Sequence, residues 1–254
     1  MPQNSVRSRL ESGEALLGCF LTWPTGGVVE MLSLTGFDFV VVDSEHGVFS
    51  LESIATMIVA ADAANLPAIV RVPSCPSVDS GRCLDYGAAG ILFPRAGGVE
   101  TVRAAIDTVK FAPEGHRGLA GVRAAKYGVR PLAQFVSEAN RETTVVVQIE
   151  TQAALDDLDR ISKEKSVDVL YVGPNDLTQV LGIPTQINDP RYQSTIGRIA
   201  AVAKEAGKIP GIMLGKADQI PPLHKMGYRF FTTSDRVVFM ESARAWRTAL
   251  SNRL

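Results

Sequence analysis

Eight short apolar runs, separated by stretches whose apolar residues recur every three or four positions, limit most strongly how this chain can fold. The runs lie at roughly 16–22, 38–43, 68–72, 90–94, 144–149, 168–173, 210–214 and 228–233, and Val, Ile, Leu and Phe dominate most of them. Strands this apolar are buried on both faces, as in a parallel sheet covered by helices. The stretches between, for example Leu51–Ala64 and Val99–Val109, carry helical periodicity. Unbroken strand–helix alternation predicts an α/β fold with a parallel sheet. Eight such units in 254 residues predict a (β/α)8 TIM barrel, with 1–254 as one domain. A doubly wound dinucleotide fold would carry GxGxxG after its first strand, and Trp23-Pro-Thr-Gly-Gly27 does not supply it.

Composition narrows the function classes. Hydrophobic residues are 46% and charged residues 21%, enough for a large core, and the formal net charge is -1. No basic stripe points to nucleic acid, and no apolar run is long enough for a membrane span. Met1–Arg9 is polar and lacks the apolar segment of a secretory signal. The three cysteines, Cys19, Cys75 and Cys83, form no CxxC pair and read as reduced thiols, which predicts a cytoplasmic protein.

Three longer segments carry their own expectations. Gln152–Ser162 reads as one helix with Thr151 as its N-cap. The gap from Pro94 to Thr144 holds two helices and the Gly-rich loop Phe111–Gly121, read as a lid above the barrel mouth. The last helix, after Ser234, is amphipathic through Val237, Val238, Met240, Ala243, Trp246 and Leu250, and either closes the barrel or docks on a neighbouring subunit.

Polar residues gather where the apolar runs end: Asp43 with Glu45 and His46, Arg71, Glu150, and Gly173-Pro174-Asn175-Asp176. In a parallel barrel those ends share one face, where such enzymes keep their chemistry. Side-chain alternation puts Gln148 and Glu150 on one side of their strand and Val145, Val147 and Ile149 on the other. Glu150 and Asp176, from adjacent strands, can share one hard divalent cation; otherwise Glu150 caps the next helix and Asp176 begins one. Asp43 beside His46 in one tight turn reads as an acid/base pair, with a capping or packing role for His46 as the alternative. Arg71 after a buried strand needs an anion, either Asp43 or Glu45 in a salt bridge or the carboxylate or carbonyl oxygen of a substrate. Arg95 is a weaker candidate of the same kind. The backbone N–H groups of Gly173 and Asn175 suit a carboxylate near a helix start. His116, His224 and Lys216 read as structural or surface residues. No proposed strand carries a lysine, which disfavours Schiff-base chemistry.

Taken together, Gly36-Phe-Asp-Phe-Val-Val-Val-Asp-Ser-Glu-His46, Arg71-Val72, Leu84-Asp85-Tyr-Gly-Ala-Ala-Gly90, Gly115-His-Arg-Gly118, Gln148-Ile-Glu150 and Gly173-Pro-Asn-Asp-Leu177 resemble the HpcH/HpaI aldolase family, in its order and spacing from about Gly18 onward. The resemblance implies a phosphoenolpyruvate/pyruvate-type barrel and a metal-dependent class II pyruvate aldolase, splitting a 4-hydroxy-2-oxo acid into pyruvate and an aldehyde. It implies Mg, Mn or Co on Glu150 and Asp176, and Arg71 on the keto oxygen. Asp43 and His46 become the acid/base pair, while Gln148 and the backbone from Gly173 through Pro174 to Asn175 seat pyruvate. Asp85 is implied as a supporting residue near the metal or a subunit interface, while Glu45 reads from its place in the turn either as a supporting residue or as a buried acid holding the backbone turn. Trp23, Pro24, Thr25, Arg123 and Tyr127 match a region that helps choose the aldehyde. The implied assembly is a homohexamer, a trimer of dimers with an exchanged C-terminal helix.

Two departures are visible: Ser44 stands where the motif commonly has Gly or Thr, and Asn175 where the family often has Ala or Ser. The alternative activity is a related carbon–carbon lyase, an oxaloacetate decarboxylase or an acyl-CoA-type lyase, although no basic groove for a nucleotide is evident. A non-catalytic metabolite-binding barrel is the remaining class.

Overall fold

Why eight apolar runs make a barrel is plain from their pairing in the computed structural model, which describes residues 5–251. The first four and last three residues of the expected 1–254 unit lie outside the described residues, including the start of the polar segment Met1–Arg9. Strands β1 (Leu16–Leu21), β2 (Phe39–Asp43), β3 (Ala68–Arg71), β4 (Gly90–Phe93), β5 (Thr144–Gln148), β6 (Val169–Val172), β7 (Ile209–Met213) and β8 (Phe230–Ser234) each pair in parallel with the next, and β8 closes onto β1. The helices are α1 (Val6–Glu11), α2 (Gly26–Leu34), α3 (Leu51–Ala63), α4 (Ser80–Tyr86), α5 (Val99–Val109), α6 (Leu132–Glu142), α7 (Gln152–Asp156), α8 (Leu158–Ser162), α9 (Pro174–Val180), α10 (Pro190–Glu205), α11 (Ile220–Lys225) and α12 (Asp235–Ser251), and those that follow strands form the outer layer. No helix of the described residues is long and apolar enough to cross a membrane.

Two apolar layers follow from strand alternation. Val40, Val42, Val145, Val147 and Ile149 face the helices, whereas Phe20, Phe39, Val41, Val146, Tyr171 and Phe230 fill the lumen. Phe39 and Phe230 stack with centroids 4.6 Å apart, and Phe39 fits because a Cβ at Gly18 would collide with its ring. The lumen is therefore a packed core with a floor, not a pore. Helix α1, which no periodicity announced, plugs the N-terminal end: Val6 and Leu10 join the lumen cluster, and the Ser5 hydroxyl accepts the Ser8 N–H at 3.1 Å.

Two expectations change and one open alternative narrows. The helix at 152–162 is two short helices joined at Asp157, whose φ/ψ of -94°/10° interrupts it; its carboxylate is committed to the N–H of Val99 at 2.9 Å. Thr151 does cap the first of them, accepting the Ala154 N–H at 3.0 Å. The loop Phe111–Gly121 is not above the mouth. Helix α5 carries the chain down the outside of the barrel, so the loop starts at the opposite end. There the buried Lys110 Nζ donates to the carbonyls of Asn140 and Thr143 at 2.6 and 3.1 Å, just before β5 begins. Finally, α12 does not close its own barrel: none of its residues is buried, and Phe239 and Trp246 are exposed.

Candidate active site

Register builds the first half of the site. Asp43 and Arg71 are paired positions of the parallel strands β2 and β3 at their C-terminal ends. Arg71 Nε donates to Asp43 Oδ1 at 2.8 Å and a terminal nitrogen donates to Oδ2 at 2.6 Å, a bidentate pair with both residues buried. The other terminal nitrogen meets Glu45 Oε2 at 3.1 Å. The guanidinium rests 4.8 Å above the centroid of Phe20, the top of the lumen core. Asp43 Oδ1 also accepts the backbone N–H groups of Glu45 and His46, each at 3.2 Å, which shapes the turn. Ser44 tightens it further: its hydroxyl donates to the Arg71 carbonyl at 2.7 Å.

This arrangement corrects the expected pairing of Asp43 with the His46 imidazole. The Asp43 carboxylate is consumed by Arg71 and by backbone donors. The nearest acid to the ring is Glu45, with Oε2 3.8 Å from Nε2, and the His46 side chain is 58% exposed at the mouth. Both anions named as partners for Arg71 are used, so the salt-bridge reading of that residue holds alongside any role toward substrate.

The second half rests on β5 and β6. Gln148 and Glu150 point inward together and are buried. Gln148 Nε2 donates to Glu150 Oε2 at 2.5 Å, and Arg95 N–H donates to Glu150 Oε1 at 2.9 Å. Arg95 reaches that position in a left-handed conformation, φ 50°, while its side chain is exposed. Gly173 backs the pair, because a Cβ there would occupy the space of Glu150 Oε2 and Gln148 Nε2. Pro174 opens α9 at its first position, Asn175 is exposed, and Asp176 follows half-buried in the same turn.

Burial pushes the Glu150 carboxyl up to about 7; the Arg95 N–H works against the shift, and the charges of Asp176 and Glu45 add to it. Glu45 is raised as well, first by burial, against the pull of Arg71. Several carboxylates crowding one pocket at the barrel mouth are an environment that a cation relieves. The buried Gln148 Oε1 has no partner among the described residues, leaving an acceptor free beside Glu150. Among the described residues no three His, Cys, Asp or Glu side chains converge as a closed metal site. Glu150 and Asp176 are the two carboxylates that could hold a cation here, and their oxygen chemistry would suit a hard divalent ion with positions left for water and substrate oxygens.

Other expected residues lie elsewhere. Asp85, in the last turn of α4, bonds Arg117 at 2.7 Å. It shares a surface cavity with Asp107, Thr108 and His116, away from this mouth. Arg123 ion-pairs with Asp62 at 2.7 Å and donates to the Tyr86 carbonyl, and Tyr127 lines the same outer groove. Trp23 remains at the mouth end of β1, half exposed. Burial pushes the thiols of Cys19, Cys75 and Cys83 up to about 12, far from a reactive thiolate. Sequence reasoning did not find the roles of Phe20, Ser44 and the Arg95 backbone; an Arg directly after a strand-ending Pro was the one local signal for the last.

Comparison with known proteins points to one family. The model of the HpcH/HpaI aldolase/citrate lyase family matches residues 16–233, the whole barrel. A hydroxypyruvate/pyruvate aldolase of Paraburkholderia phytofirmans is 32% identical, covering 97% of this chain and 96% of the relative. A 4-hydroxy-2-oxovalerate aldolase of Novosphingobium aromaticivorans is 30% identical, covering 98% and 97%. The crystal structure of a citrate synthase superposes with a TM-score of 0.89 at 29% identity, covering 98% of each chain.

Proposed function

This chain belongs to the HpcH/HpaI aldolase/citrate lyase family and is an aldolase; on that premise we propose that it splits a 4-hydroxy-2-oxo acid reversibly into pyruvate and an aldehyde, using a divalent cation, Mg, Mn or Co, held by Glu150 and Asp176. The observation that carries the reading is Glu150: a buried carboxyl in the mouth, crowded by Asp176 and Glu45 and lifted to about 7, with no cationic side chain among the described residues bonded to it. When bound, a hard divalent cation draws electron density from the keto oxygen and lowers the cost of forming the pyruvate enolate.

The side chains divide the rest of the work. Asp43 takes two of the five Arg71 donors and Glu45 forms an ion pair with the other terminal nitrogen at 3.1 Å, which leaves N–H groups for the keto oxygen and the charge that develops on it. His46, exposed beside Glu45, exchanges the proton at the carbon that becomes the pyruvate methyl, or at the C4 hydroxyl in cleavage. Gln148, with its free Oε1, and the backbone from Gly173 through Pro174 to Asn175 seat the pyruvate end. Helix α12, with no buried residue of its own, packs on a second copy in a hexameric trimer of dimers. These assignments fit a cytoplasmic enzyme on small-molecule substrates.

The test is hydrogen–deuterium exchange at the pyruvate methyl by NMR, with Mg, Mn or Co and with chelator. Exchange that requires metal supports enolate formation; exchange that persists after chelation removes the cation from the proposal. A second reading keeps the same enolate and draws it from oxaloacetate by loss of carbon dioxide. Offering oxaloacetate in the same experiment separates the two: decarboxylation without pyruvate exchange selects the second.

A further inference from the structure

A groove of about 570 Å³ opens beside the proposed pyruvate site and has no role in the account above. Its inner wall is Pro174 and Asn175, the turn that also carries Asp176. It touches both faces of β7: Met213, packed against the lumen cluster, and Ile212, which belongs to the outer layer. One cavity can meet both faces of a strand only by passing over its end. The groove therefore runs from the mouth, across the C-terminal rim of β7, and out between α10 and α11. Outside the rim its walls are mostly apolar, with Tyr192 and Ile196 from α10, Leu214 after β7, and Leu223 and Met226 from α11, while Gln193, Gln219 and Arg236, the last at the start of α12, add polar groups to the lining. Its volume lies in the range of small-molecule sites, which are mostly apolar with a few polar groups at one end.

Resting on the aldolase reading, we propose that this groove holds the acceptor end of the substrate, and that the aldehyde partner has an apolar body of several carbons. A short polyhydroxylated aldehyde would leave the apolar walls in water and gain nothing from them, whereas an alkyl chain leaving the mouth over β7 would be enclosed. The carbonyl carbon would stay at the mouth beside Asn175, where the enolate carbon attacks it. The new carbon–carbon bond forms there as the aldehyde oxygen takes a proton, so no additional reactant is needed.

The experiment compares hexanal and glycolaldehyde as acceptors for pyruvate with the metal-loaded enzyme, reading kcat/KM by product NMR, with pyruvate methyl exchange measured alongside. The expected ratio favours hexanal by about tenfold or more, the discrimination of an apolar pocket for added methylenes. Met226→Asp, at a residue partly open to solvent, should lower that ratio about tenfold and leave pyruvate exchange unchanged, and Met226→Leu should restore it. A wild-type ratio near one or in favour of glycolaldehyde, with exchange intact, overturns the groove alone. So does a ratio unmoved by Met226→Asp, with or without a change in assembly size; a change would assign the groove to a second copy of the chain. Absence of metal-dependent exchange in the wild type removes the aldolase chemistry itself, and the acceptor assignment with it.

Discussion

Asp43 and Arg71 face each other at the ends of β2 and β3 and share two parallel hydrogen bonds, at 2.8 and 2.6 Å, in a place where both are buried. Removing one partner leaves the other charge buried and alone. Asp43→Ala should cost about 3–5 kcal/mol of stability, the usual penalty for breaking a buried pair, and chemical denaturation of the metal-free protein measures it. A loss below about 1 kcal/mol would mean that water reaches Arg71 when the acid is gone.

Arg71→Lys keeps the charge and loses the fork, so it cannot hold Asp43 in two bonds, reach Glu45 and still offer donors to a keto oxygen. Turnover should fall by about 10²-fold or more, the scale of losing one oxyanion donor, with a smaller change in pyruvate affinity. Equal falls in both would make Arg71 a binding residue only.

How far these contacts were legible from sequence depends on how local they are. All eight strands appear within about two residues of their expected bounds, because a run of β-branched residues between turn signals is a local pattern. That Gln148 and Glu150 point inward follows from the two-residue period of β5 alone. Partnering is another matter. Asp43 pairs with Arg71 instead of the His46 ring because parallel register sets those two residues side by side, and register is decided across the barrel. The loop Phe111–Gly121 was misplaced for a similar reason: glycines announce a loop, but only the downward course of α5 says at which end of the barrel it lies.

His46→Ala should slow metal-dependent exchange of the pyruvate methyl by ~10²–10⁴-fold, the usual contribution of a general base. Because the ring is exposed, with the Glu45 carboxylate 3.8 Å away, the melting temperature should hardly move. A large loss of stability with normal exchange would return His46 to a packing role.

Gly173→Ala tests the back wall of the carboxylate. The added methyl would take the space of Glu150 Oε2 and Gln148 Nε2, so the Glu150 head must swing from its bonds to Gln148 and Arg95. Manganese binding, followed by electron paramagnetic resonance, should weaken about 10–100-fold, as when the neighbours that orient a ligand are lost. Unchanged binding would mean that Glu150 holds no metal in its present orientation.

The raised Glu150 carboxyl gives a pH signature with a definite sign. Its folded value, about 7, lies above the ordinary glutamate value of about 4.3, so the folded protein holds a proton that the unfolded chain has released. The stability this contributes is fully present below about 4.3 and is lost as pH rises through about 7. In metal-free buffer the wild type should therefore lose stability relative to Glu150→Gln between about pH 5 and 7, and the two should run parallel above about 8. Metal binding must displace the same proton, so manganese affinity should climb with pH up to about 7 and then level off. Denaturant titrations across that range, paired with metal binding at each pH, read both halves. A difference curve that is flat across the window would mean that Glu150 is already ionised in the empty site, stabilised by water within the mouth.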